Sequence, residues 1–233
     1  PPELRRFDEG LRLGQDVAHI IVVGNEIGGA GNSTVAMHVA TALARLGHRV
    51  GMLDLDLRHK TTARYLANRK VSMDRHGYTL PSPVYGELPE VDRSKLAPGE
   101  NLHDRRLSQA VAALESDSDF IVIDCPGSHT RLSQVAHTLA DTLISPLNDS
   151  FVDFDLLAHI DGETGEILGP SVNSEMVWNA RQLRAQAGLK PIDWVVMRNR
   201  LGAQRMVNKE KMGHALDDLS QRVGFRLAPG FNE

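Results

Sequence analysis

The residues of this chain that could do chemistry gather at four places. The first is the stretch VVGNEIGGAGNSTVA at residues 22–36. Gly28, Gly29, Ala30 and Gly31 let the backbone turn sharply and aim N–H groups at an anion. Ser33 and Thr34 then open an apolar-patterned helix, whose N-terminal dipole adds positive potential. This is the layout of a phosphate-binding loop, whose motif ends in G-K-[ST]. Asn32 stands where that motif has lysine. The Ser33 hydroxyl suits Mg²⁺. Glycine-rich turns of this kind also occur with no ligand.

The second place is LDLDL, residues 53–57, where Asp54 and Asp56 could touch a metal shell and a water. Acidic residues also end strands as ordinary turn formers. The third is IVID, ending at Asp124 and followed by Cys125, Pro126 and Gly127. An aspartate after such a strand holds Mg²⁺ through water in phosphate-loop enzymes, and Gly127 is placed to offer its N–H to a phosphate. The fourth is Arg198-Asn199-Arg200, where the Asn199 amide could read an adenine edge. Alone, that signal is weak.

Four such groups converge only if strands deliver them to one edge. Near-continuous apolar runs predict strands over 17–24, 49–55, 119–125, 142–147 and 191–197, with a last strand from 225. Helical spacing predicts helices over 32–46, 61–69, 102–115, 132–140, 174–187 and 204–223. The alternation predicts an α/β fold, a parallel sheet with helices on both faces. In such sheets ligands bind beyond the carboxyl ends of the strands. Residues 71–99, rich in proline and glycine, read as a long surface insertion, and 148–171 as irregular. Residues 1–16 read as a flexible lead-in to a single domain over 17–233, and the last residues as a trimmed C-terminus.

A net charge of −4 and a pI near 6.2 exclude a general polyanion binder. Any nucleic-acid contact needs a local patch. Arg198, Arg200, Arg205, Lys209 and Lys211 could form one, with a solvated charged face as the competing reading. The one cysteine, Cys125, allows no internal disulfide and no CxxC site, and no base is paired with it. His38, His48 and His59 have no metal-ligand spacing. Phe151 and Phe154 suit packing better than a partner surface. No run reaches the ~18 apolar residues of a membrane span.

With these four places in view, the chain resembles the ParA/MinD branch of P-loop ATPases with a deviant Walker A loop, and within it the MipZ family. The matching stretches include GNEIGGAGNST, LDLDLRHKTTARYLANR, FIVIDCPG, NDSFVDFDLL and DWVVMRNRL. The resemblance implies a division-positioning ATP switch with ATP and Mg²⁺ as cofactors. ATP would pair two subunits into a homodimer that binds DNA non-specifically, meets the ParB partition protein and blocks FtsZ polymerisation. It implies a cytoplasmic, nucleoid-associated protein with no membrane anchor in evidence. Carried over by position, Ser33 binds Mg²⁺, Thr34 sits by the α-phosphate and Asp56 positions the attacking water. Asp124 supports the metal and Asn199 faces adenine. A single cysteine argues against the iron–sulfur relatives of the fold. A ParA-type partition ATPase and a nucleotide-free adaptor are the alternatives.

Two departures stand out. The family has lysine where this chain has Ile27 and again where it has Asn32. Each lost charge-assisted bond to phosphate costs roughly 1.5–3 kcal/mol. Together they predict at least ~100-fold weaker nucleotide binding, with hydrolysis impaired further because transition-state charge goes unmatched. Lys60 and Lys70 are the nearby lysines.

Overall fold

In a computed structural model, residues 17–26, 28–148, 153, 157–160, 167–199 and 216–230 are described. The chain runs β1 (His19–Val23), α1 (Asn32–Arg45), β2 (Val50–Asp54), α2 (Thr61–His76), β3 (Val84–Gly86), α3 (Leu102–Glu115) and β4 (Phe120–Asp124). Then come α4 (Arg131–Leu139), β5 (Thr142–Asn148), β6 (Ala158–Ile160), β7 (Ile167–Pro170), α5 (Val172–Gln186), β8 (Asp193–Asn199) and β9 (Arg226–Ala228). A helical segment over 216–223 leads into β9.

Seven strands form one sheet in the order β3-β2-β4-β1-β5-β8-β9, with every pairing parallel. The predicted architecture is the observed one. The central strands are mostly apolar because both faces are covered. Alternation along β1 divides the core: Ile20 and Val22 pack on one face with Leu107, Leu143 and Trp194. Ile21 and Val23 pack on the other with Val35, Ala36 and Ala40 of α1. Such a sheet can hold its strand ends rigidly in register. Val23 pairs with Asp124, and Asp54 pairs with Asp124 from the other side.

The structure differs from the sequence reading in two places. The surface insertion at 71–99 is not all loop: α2 runs on to His76, and Val84–Gly86 adds β3 at the sheet edge beside β2. Gly77, at φ 67, ends α2, and the Tyr78 N–H closes back on the Met73 carbonyl at 3.3 Å. Within the irregular 148–171 segment, β6 and β7 pair antiparallel as a separate ribbon. The predicted helix over 204–223 is observed over 216–223, its earlier part lying outside the described residues. The lead-in at 1–16 also lies outside them, as do Ile27, Phe151, Phe154, Arg200, Arg205, Lys209 and Lys211.

Candidate nucleotide site

The sheet's carboxyl edge opens into a cavity of about 850 Å³. Gly28, Gly29, Gly31, Asn32, Ser33 and Thr34 form one wall, Leu55 to His59 another, and Cys125 to Ser128 a third. The sequence-predicted loop, Asp56 and Gly127 therefore do meet around one space.

The glycine wall is set by backbone geometry. Gly31 caps α1 in the left-handed conformation, φ 94, where a side chain is strained. A Cβ there would also fall 2.2 Å from Asn199 Nδ2. No side chain caps the start of α1, and its first turn has no acidic residue. Its leading N–H groups are thus open to an anion, although α2 and α5 also lack a side-chain cap. By contrast α3 and α4 are capped by Asn101 and Thr130.

Asn32 is buried and built into the fold. Its Nδ2 donates to the Cys125 carbonyl at 3.3 Å, while its Oδ1 is buried without a partner. Asn199, expected to face adenine, is also buried, and its Nδ2 donates to the Ala30 carbonyl at 2.9 Å. The end of β8 is in this way tied to the glycine loop. Arg198, one residue before, occupies the same strand opposite Leu147.

Asp124 lies beneath the cavity at 1% exposure. The Thr62 hydroxyl donates to its Oδ2, while Oδ1 has no hydrogen-bond partner. Burial pushes the carboxyl up to about 7, against the Thr62 and Ser33 hydroxyls, which favour its ionised form; Asp54 and Asp56 push it further up. A buried carboxylate with a vacant lone pair suits a cation nearby. That chemistry fits Mg²⁺ supported by Asp124 and Ser33.

The other two aspartates are differently engaged. Asp54 accepts the Asp56 N–H at 2.9 Å on one oxygen and the Thr62 N–H at 3.0 Å on the other. It braces the turn after β2, and burial raises its carboxyl above the ordinary range. Asp56 lines the cavity. Its Oδ1 accepts the N–H groups of Arg58 and His59 at 3.2 and 2.9 Å, and its Oδ2 meets His59 Nδ1 at 2.9 Å. Burial pushes the Asp56 carboxyl up, but the His59 and Arg58 contacts outweigh this and hold it below the ordinary range. An ionised carboxylate of low basicity orients a water better than it abstracts a proton.

Sequence reasoning missed several neighbours. Thr62 is wholly buried on Asp124, and only its place at the start of α2 hinted at this. Arg58, His103 and Arg131 line the cavity. Glu26, in the loop itself, pairs with His129. Cys125 is buried, and burial raises its thiol far above the usual range, as expected of a packing residue. No metal-binding group of three or more His, Cys, Asp or Glu exists among the described residues.

A parallel sheet that gathers a glycine loop, a buried aspartate and a helix N-terminus at its carboxyl edge defines the phosphate-loop NTPase fold, in its ParA/MinD-like form. Solved structures agree. One is an ATP complex of a Cyanothece McdA variant, with TM-score 0.64, 17% identity, and 93% of this chain covering 84% of that one. Another is a plasmid partition protein from Borrelia burgdorferi, with TM-score 0.61, 16% identity and coverage of 93% and 90%.

More narrowly, the chain belongs to the MipZ family: the family model described as ATPase MipZ matches residues 19–233. Among curated relatives, it is similar to the chromosome partitioning protein ParA of Caulobacter vibrioides. Identity is 26% over 219 residues, covering 77% of this chain and 80% of that protein. It is also 33% identical over 120 residues to the iron-sulfur cluster carrier protein of Aquifex aeolicus, covering 47% of this chain but only 33% of the carrier. No described helix is long and apolar enough to cross a membrane.

Proposed function

We propose that this chain is a MipZ-type switch that positions the division site, with ATP and Mg²⁺ as its ligands and turnover impaired by Ile27 and Asn32. The observation that carries the reading is Asp124, buried under Ser33 and the glycine loop with one oxygen unpartnered. Bound ATP with Mg²⁺ supplies the phosphate charge and the scissile bond. Ser33 and Asp124 hold the metal, Thr34 and the α1 N–H groups orient the phosphates, and ionised Asp56 orients the water. Asn199 contacts adenine after exchanging its Ala30 contact. In this reading ATP drives homodimerisation. The dimer binds DNA through Arg198 and the basic residues at 200, 205, 209 and 211, meets ParB and restrains FtsZ, acting in the cytoplasm on the nucleoid.

The test joins light scattering with FtsZ sedimentation, each run with and without saturating Mg·ATP. A dimer and a loss of pelleted FtsZ that both need ATP are expected. A monomer that leaves FtsZ assembly untouched at every ATP concentration contradicts the switch. One observation favours a second reading, a nucleotide-free adaptor: Asn32 is held by the Cys125 carbonyl as a strut across the site. FtsZ inhibition independent of ATP would select that reading.

A further inference from the structure

A phosphate chain in this cavity needs a cation, and position 32 of the glycine wall holds a buried neutral amide instead. With Nδ2 held by the Cys125 carbonyl and Oδ1 buried, Asn32 brings no positive charge to phosphate oxygens. Glu26, on the same loop, adds a carboxylate that His129 covers. No lysine is among the described residues lining the cavity, and the arginines there are Arg58 and Arg131.

The two arginines are not equivalent. Arg131 is committed: its Nε donates to Asp104 Oδ1 at 2.9 Å and its Nη2 to Oδ2. Drawing it onto a nucleotide would break a two-point ion pair. Arg58 is exposed, and its guanidinium has no partner among the described residues. Its backbone, however, is fixed. Asp56 Oδ1 accepts the Arg58 N–H, and the Lys60 N–H closes the turn on the Asp56 carbonyl at 2.9 Å. A five-donor head on a pinned backbone can grip phosphate oxygens, with only the side chain left to be ordered.

Given that the cavity takes a nucleotide, as proposed above, we infer that Arg58 is the phosphate-binding cation of this site, in place of the loop lysines. The charge would thereby move from the loop before α1 to the turn after β2. Because Asp56 holds that turn, phosphate contact at Arg58 is coupled mechanically to the residue that orients water.

The test is calorimetric titration of Mg·ATP and Mg·ADP into the chain, Arg58→Ala, Arg58→Lys, Asn32→Lys and Asn32→Lys/Arg58→Ala. Arg58→Ala is expected to weaken ATP binding about 10- to 100-fold, and Arg58→Lys to recover part of the loss. With Asn32→Lys present, removing Arg58 should matter several-fold less, since a second cation now serves the phosphates. Arg58 is exposed, so its variants should melt with the parent. ATP binding by Arg58→Ala within about twofold of the parent overturns the arginine assignment while leaving the nucleotide reading intact. Absence of ATP binding by the parent overturns both.

Discussion

The two sides of the cavity have diverged. On the β2–β4 side three carboxylates stand together: Asp54 braces its turn, Asp56 is held below the ordinary range by His59 and Arg58, and Asp124 is buried with one oxygen unpartnered. On the glycine side the backbone has the left-handed Gly31 and an uncapped α1, but position 32, where the resemblance implies a lysine, holds a buried amide. Backbone shape and metal support are thus separable from charge neutralisation. A phosphate-loop backbone can form with an asparagine at position 32.

If the carboxylate side is built for a cation, its largest signature is a stability penalty when empty. The Asp124 carboxyl has a folded value near 7 against an ordinary 3.8. A raised carboxyl stabilises the fold fully below the ordinary value and loses that contribution as pH climbs to about 7. The nucleotide-free chain should therefore lose stability between pH 4 and 7, by at most roughly 4 kcal/mol. Asp124→Asn should raise the melting temperature at pH 8, and Mg²⁺ should stabilise the parent there more than the variant. Equal melting of parent and variant across that range would remove the distinction between the two sides.

His137, under the start of the glycine loop, gives the opposite pH dependence. It is buried, donates Nδ1–H to the Ser133 carbonyl at 2.6 Å, and burial lowers it to about 4. A depressed imidazole supports the fold above 6.5 and withdraws that support as pH falls toward 4. The loss is at most roughly 3 kcal/mol, read as a steeper acid limb in chemical denaturation. His137→Gln should flatten that limb.

The glycine side is tested by Gly31→Ala. Strain at φ 94 and contact with Asn199 should destabilise the chain by about 1–3 kcal/mol, measured by urea unfolding. The smallest effect should come far from both sides. Arg226 and Asp193 form a well-aligned but exposed pair, and removing Arg226 should change stability by less than about 1 kcal/mol. A larger change would mean that the β8 edge, and with it Asn199, depends on that pair.

Much of this was legible in residue order. The apolar strand runs, Gly31 before Ser33, and Asp124 closing IVID each carry a local signal, because burial on both faces and tight turns restrict composition directly. β3 was not legible. Its three residues sit among prolines, and Val84 is exposed, so only its pairing with β2 makes it a strand. α2 beyond residue 69 has few buried positions and no apolar stripe to reveal it. Thr62 and Arg58 acquire their roles only when the turn after β2 folds against Asp56 and Asp124. Those contacts cross elements, and no spacing encodes them.

The most direct measurement is Mg·ATP titration of the chain beside Ile27→Lys/Asn32→Lys. An intact carboxylate side facing an uncharged loop predicts weak binding by the parent and a gain of at least ~100-fold once both lysines are restored. Micromolar binding by the parent, with no gain from the lysines, would contradict the account.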